Sequence, residues 1–185
     1  RWTIERVARW QSEMGWLVGC NFTPSTAGNQ LEMWQVETFD PATIDRELGW
    51  AADLGMNVIR VYLHDLVFSS DGAAFLDRLD QVLSIADAHG IAMIPVLFDG
   101  VWHPEPRLGR QPEPAPRLHN SIWLQSPGRI VLDDPTRWHA LGPYVFEVLS
   151  RFGDDRRVIA WDLFNEPDQI DRLTLMSGSR QGKSD

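Results

Sequence analysis

Between Thr3 and Met14 the apolar residues Ile4, Val7, Ala8 and Trp10 recur at near-helical spacing, which predicts a short leading helix ending near Gly15. Trp16 to Phe22 follows as a compact apolar run, the first predicted strand. Asp40-Pro41 then supplies a capping side chain and a first-turn proline, and Ile44, Leu48, Ala51, Ala52 and Leu54 give the next helix one apolar face. Gly55 ends it, and Val58 to Leu63 reads as a strand. The pattern repeats. Asp71-Gly72 opens a helix through Phe75, Leu76, Leu79, Val82, Leu83 and Ala86 to Gly90, before a third strand from Ile91 to Phe98. Asp134-Pro135 opens another helix, in which Gly142-Pro143 predicts a kink or a split. Gly153 closes it, and Val158 to Phe164 is the fourth predicted strand.

Alternating helices and strands imply a parallel sheet, because parallel neighbours need a crossover connection. The strands are almost wholly apolar, as when both faces are covered. A (β/α) barrel of the TIM type and an open doubly wound sheet both satisfy this pattern. No G-x-G-x-x-G or G-x-x-x-x-G-K-[ST] is present, which argues against nucleotide binding. The connections after the strands are long, above all Asp99 to Asp133, and sites in parallel α/β folds form at that end.

Length changes the picture. A complete barrel takes about 250 residues, whereas this chain has 185. The pattern therefore covers only about the first four β/α units, over 1–167, followed by a polar tail over 168–185. The net charge of −9 and the lack of a basic run exclude a nucleic-acid footprint. No stretch nears the ~18 apolar residues of a membrane span. No secretory signal is visible; localisation stays open, with secreted or periplasmic ahead of cytoplasmic. The single cysteine, Cys20, sits in an apolar run and reads as a buried, inert thiol.

The strongest chemical signal is Trp161-Asp162-Leu163-Phe164-Asn165-Glu166-Pro167, an apolar strand running straight into a carboxylate. A glycosidase needs a carboxylic acid that protonates the leaving oxygen. Arg60, inside the apolar run Val58 to Leu63, needs a partner if buried. His103, Glu105 and His119 match no compact metal-binding spacing, and Asn21-Phe22-Thr23 is a glycosylation sequon better read as a strand-end residue set.

The Asn165-Glu166 pair, falling after the fourth predicted strand, resembles the acid/base motif of family-5-type glycoside hydrolases of clan A, retaining (β/α)8 enzymes. Gly19 to Ser25, Gln30 to Trp34, Phe98 to Pro104 and His119-Asn120-Ser121 resemble a bacterial, cellulase-like subgroup. The resemblance implies cleavage of β-linked oligosaccharides or polysaccharides by double displacement, without cofactor or metal. It makes Glu166 the general acid/base, Asn165 a sugar-hydroxyl partner and Arg60 an electrostatic support. It nominates Asn21, Trp34, His64, Trp102 and His103 as subsite residues. The family's nucleophile is a Glu on the seventh strand, and nothing here matches it; Asp65, Asp99 and Asp162 are nearby carboxylates by strand order, none of them equivalent. The isolated chain is therefore expected to be inactive, with a sugar-binding half barrel as the alternative. Exposed edges of a half barrel also invite a homodimer.

Overall fold

The structure, a computed structural model, describes residues 2–167, so the polar tail expected over 168–185 lies outside the described residues. Helix α1 (Ile4–Met14) leads into strand β1 (Gly19–Asn21), the short helix α2 (Gln30–Trp34) and helix α3 (Pro41–Asp53). Strand β2 (Val58–Tyr62), helices α4 (Asp65–Ser70) and α5 (Gly72–Ala88), and strand β3 (Ala92–Val96) follow. A long connection contains α6 (Arg129–Leu132) and a 3₁₀ helix over Pro135–Leu141, and α7 (Gly142–Phe152) is the last regular element.

The caps form as the sequence predicts. Asp40 accepts a hydrogen bond from the Thr43 amide at 3.1 Å, and Asp71 accepts one from Ala74 at 3.4 Å. Gly55 and Gly90 close their helices at φ of 82° and 70°, which a side chain would strain. The predicted break at Gly142-Pro143 is a full split: the 3₁₀ helix ends there and α7 begins.

The sheet is parallel, in the order β1-β2-β3. Its helix-facing side carries Ile59, Val61 and Met93, all buried against Ile44 and Leu48 of α3 and Phe75, Leu79, Val82 and Leu83 of α5. Burying side chains of this size contributes about 1.5–3 kcal/mol each. The other side carries Arg60 and Ile94, which pair in register and are only partly buried. Gly19 lets β1 approach closely, since a β-carbon there would lie 1.7 Å from the Val58 carbonyl oxygen.

Two expectations fail here. The run Trp16 to Phe22 yields a strand of only three residues, all exposed, and Cys20 is exposed rather than buried, 3.7 Å from the Met56 sulfur. Beyond β2, β1 pairs with no other strand among the described residues, so its apolar residues have little to pack against. The predicted fourth strand is also not a regular strand. Val158 to Asn165 runs parallel beside β3 through separate bridges, Met93 with Val158, Val96 with Asp162 and Asp99 with Asn165. A step of three residues on β3 is matched by four on this segment, and one surplus residue interrupts the ladder as a bulge does.

Candidate functional site

The long connection after β3 folds back and forms a wall. Asp99 pairs antiparallel with Ser126, and His103 pairs with Leu124. Side-chain amides fix it to the region around α2: Asn29 donates to Gln111 Oε1 and to the Ile122 carbonyl, each at 3.0 Å, and the Leu124 amide donates to Gln30 at 3.2 Å. These groups are buried, where an unmade hydrogen bond costs about 1–3 kcal/mol. The wall therefore has a defined shape.

Arg60 is central to the cluster at the strands' C-terminal ends. Its Nε and Nη2 donate to Asp162 Oδ2 at 3.0 and 2.5 Å. Nη2 also donates to Asn165 Oδ1 at 2.9 Å, and Nη1 to Asn21 Oδ1 at 3.2 Å and to the Tyr62 hydroxyl. Burial works to lower the Arg60 pKa, but the hydrogen bond and charge of Asp162, with Tyr62, raise it on balance. Burial also raises the Tyr62 pKa, against the pull of the Arg60 charge. A charged guanidinium with this many acceptors has few alternative orientations.

Asn165 is held from its other side. Its Nδ2 donates to Asp99 Oδ1 at 3.0 Å, and its backbone amide donates to the Phe98 carbonyl at 2.9 Å. Asp99 is 2% exposed and also accepts from the Val101 amide and the Trp102 indole, each at 3.0 Å. Burial pushes its pKa up to about 6 against those hydrogen bonds, and the Glu166 charge adds to the rise. Opposite partners on its oxygen and nitrogen fix which way the Asn165 amide points, and one N–H remains for a ligand.

Glu166 follows at φ 47°, in the left-handed region that non-glycine residues rarely adopt. It is exposed and makes no hydrogen bond among the described residues. Trp102, on the other flank of Asp99, has a φ of 79°. Such conformations cluster where a fold must aim a side chain. Trp102 stands in a row of edge-on rings: Tyr62 to Trp123 at 5.1 Å, Trp123 to Trp102 at 5.5 Å, and Trp102 to His119 at 5.9 Å.

Arg60, Asn21, Asn165 and Trp102 thus come together beside Glu166, joined by Asp99 and Asp162. Two nominated residues do not reach the cleft and are corrected. Trp34 is 0% exposed; its indole donates to the Tyr62 carbonyl at 2.7 Å and its ring packs edge-on against Phe75, so it belongs to the core. His64 is also wholly buried, and its Nδ1 caps α4 by accepting from the Leu66 amide at 3.2 Å. His103 is exposed on the wall, where its Nδ1 accepts from the Glu105 amide and makes no hydrogen bond to the Arg60 cluster. Asp65 pairs with the Ser126 hydroxyl at 2.9 Å. Sequence reasoning missed Tyr62 and Trp123. Tyr62 stands two residues after Arg60, hence on the same strand face, and that period was the available signal. A groove of about 730 Å³ lies by α1 and the segment Gly153 to Trp161 and contains none of the cluster.

No family model and no curated protein matches the chain. Among solved structures, an exo-β-1,4-mannosidase from Opitutaceae bacterium strain TAV5 is similar, at 24% identity and a TM-score of 0.58. The match covers 86% of this chain and 26% of that one, so the chain spans about a quarter of the enzyme it resembles. At this identity the likeness shows a shared fold.

Proposed function

We propose that the chain forms the first half of a (β/α)8 glycoside hydrolase barrel acting on β-linked glycosides or polysaccharides, with Glu166 as general acid/base. The observation that carries this reading is the bracket around Asn165: Arg60 on its oxygen and Asp99 on its nitrogen, at the C-terminal end of a parallel sheet. Glu166 follows the bracket directly and is exposed, and the bracket leaves one Asn165 amide N–H for a ligand. In a retaining mechanism the carboxylic acid protonates the leaving oxygen while a second carboxylate attacks the anomeric carbon, and the acid's conjugate base then activates water. Asn165 would hold a sugar hydroxyl, and Arg60 keeps the surrounding charge balanced. The fold shared with an exo-β-1,4-mannosidase makes β-1,4-mannosides the first substrates to test.

The attacking carboxylate has no candidate among the described residues near the bracket. Asp162 is ion-paired with Arg60, Asp99 is buried under three donors, and Asp65 is bonded to Ser126. We assign that role to a residue outside this set. The same observation favours a second reading, a half barrel that binds sugar without cleaving it. The two separate on one experiment, run on a barrel completed with the attacking carboxylate: hydrolysis of aryl β-mannosides and β-glucosides, alongside calorimetric titration with mannotriose. Turnover lost in Glu166→Gln supports the enzyme. Heat without turnover supports the binding reading, and neither signal removes both.

A further inference from the structure

The geometry points to Asp99 as a positioning residue that couples the Asn165 amide to the Trp102 wall, so that one carboxylate sets the orientation of both. This deepens the reading of Asn165-Glu166 as a catalytic pair and rests on it for its functional meaning. Oδ1 of Asp99 accepts from Asn165 Nδ2 and the Val101 amide, while Oδ2 accepts, among the described residues, only the Trp102 indole N–H. The backbone reinforces the connection: Asp99 bridges Ser126 on one side and Asn165 on the other. Both flanking residues, Trp102 and Glu166, have positive φ values. A buried carboxylate with three donors is a stiff junction, because turning it breaks several charge-assisted hydrogen bonds together.

The junction is also sensitive to protonation. A proton taken from solvent goes to Oδ2, which has the spare acceptor capacity, and there it competes with the indole N–H. Burial pushes this titration up to about 6. The groups facing the junction are Arg60 and Tyr62 of β2, and Asp162 and Glu166 of the segment beside β3. Asp65 lies behind Ser126, and His119 rests against Trp102. As pH falls below the transition, the indole hydrogen bond of Trp102 loses its charge assistance, and the amide of Asn165 reports the same event through Oδ1.

The test uses the chain as it is, with ¹⁵N-labelled tryptophan indoles and asparagine side chains followed from pH 4.5 to 8. Trp102→Phe and Asn165→Ala assign the two signals. Both are expected to move with one shared midpoint near 6. The titration should persist in His119→Gln and vanish in Asp99→Asn, where the Trp102 signal is displaced at every pH. The buried Trp34 indole, recognised by slow exchange, should stay in place in all variants. Separate midpoints, a titration surviving Asp99→Asn, or one lost in His119→Gln would overturn the inference. So would a Trp34 signal that moves with Trp102 in Asp99→Asn, which would make Asp99 a general support of the fold. No sugar or turnover enters the measurement, so its outcome is independent of whether the protein hydrolyses glycosides.

Discussion

Arg60 and Asp162 stand 102 residues apart in sequence and meet with Nη2 2.5 Å from Oδ2, joining the middle strand to the irregular segment that carries Asn165-Glu166. Both side chains are about a quarter exposed. A charge-assisted pair this enclosed penalises removal of either partner more than its own net contribution suggests. Arg60→Met is expected to destabilise the chain by about 1–3 kcal/mol, allowing for partial solvent screening. Urea unfolding followed by circular dichroism measures this. Arg60→Lys should recover only part of the loss, because an ammonium lacks the planar fork that reaches Asp162, Asn165 and Asn21 together.

Asp99 predicts a pH dependence with a definite sign. Its pKa rises from 3.8 to about 6 on folding, so between those values the folded chain holds more proton than the unfolded one. Stability from this group therefore falls as pH rises through that window, by on the order of 3 kcal/mol. Asp99→Asn cannot titrate. The stability of the wild type relative to this variant should drop from pH 4 to pH 6 and level off above, as read by urea midpoints at each pH.

Much of this architecture was legible in the sequence. The helix–glycine–strand repeat located α3, β2, α5 and β3 because caps, glycines and apolar periods agreed there, whereas α7 was found by its apolar period and Gly153, since Asp134 caps the 3₁₀ helix before it. Asn165-Glu166 was visible because an apolar run ended in a carboxylate. Trp34 and His64 were misplaced for a different reason. Their position near strand ends is shared by core and cleft residues, and only packing decides which side they face: Trp34 found the Tyr62 carbonyl and His64 the Leu66 amide. Cys20 misled because an apolar run implies burial only when something covers it. The surplus residue between Val158 and Asp162 was invisible, since register belongs to pairing with β3 rather than to one segment.

The two tryptophans give contrasting expectations. Trp34→Ala empties a fully buried site against Phe75 and should cost about 3–5 kcal/mol of stability in denaturant unfolding. Trp102→Ala removes a partly exposed ring of the wall. It should cost well under that and instead weaken mannotriose binding, read by calorimetry.

Arg157 fastens the start of the irregular segment to α5. It donates to Asp155 and to Asp80, with Nη2 2.6 Å from each, and to the Ser84 hydroxyl at 2.8 Å. The hydrogen bond to Asp155 chiefly raises its pKa, against burial, so it stays charged at any ordinary pH. Arg157→Ala is expected to cost about 1–3 kcal/mol. Hydrogen exchange should quicken at the Ile159 and Asp162 amides, which bond to β3.

The central claim is that Glu166 acts as an acid/base. It is tested most directly in a barrel completed with the attacking carboxylate, by comparing wild type with Glu166→Ala on aryl β-mannosides of poor and good leaving ability, with and without azide. General acid catalysis contributes about 10²–10⁴-fold. The account predicts a loss of that order for phenyl mannoside, a much smaller loss for dinitrophenyl mannoside, and recovery by azide with formation of a mannosyl azide. Equal rates for wild type and Glu166→Ala on phenyl mannoside would contradict it.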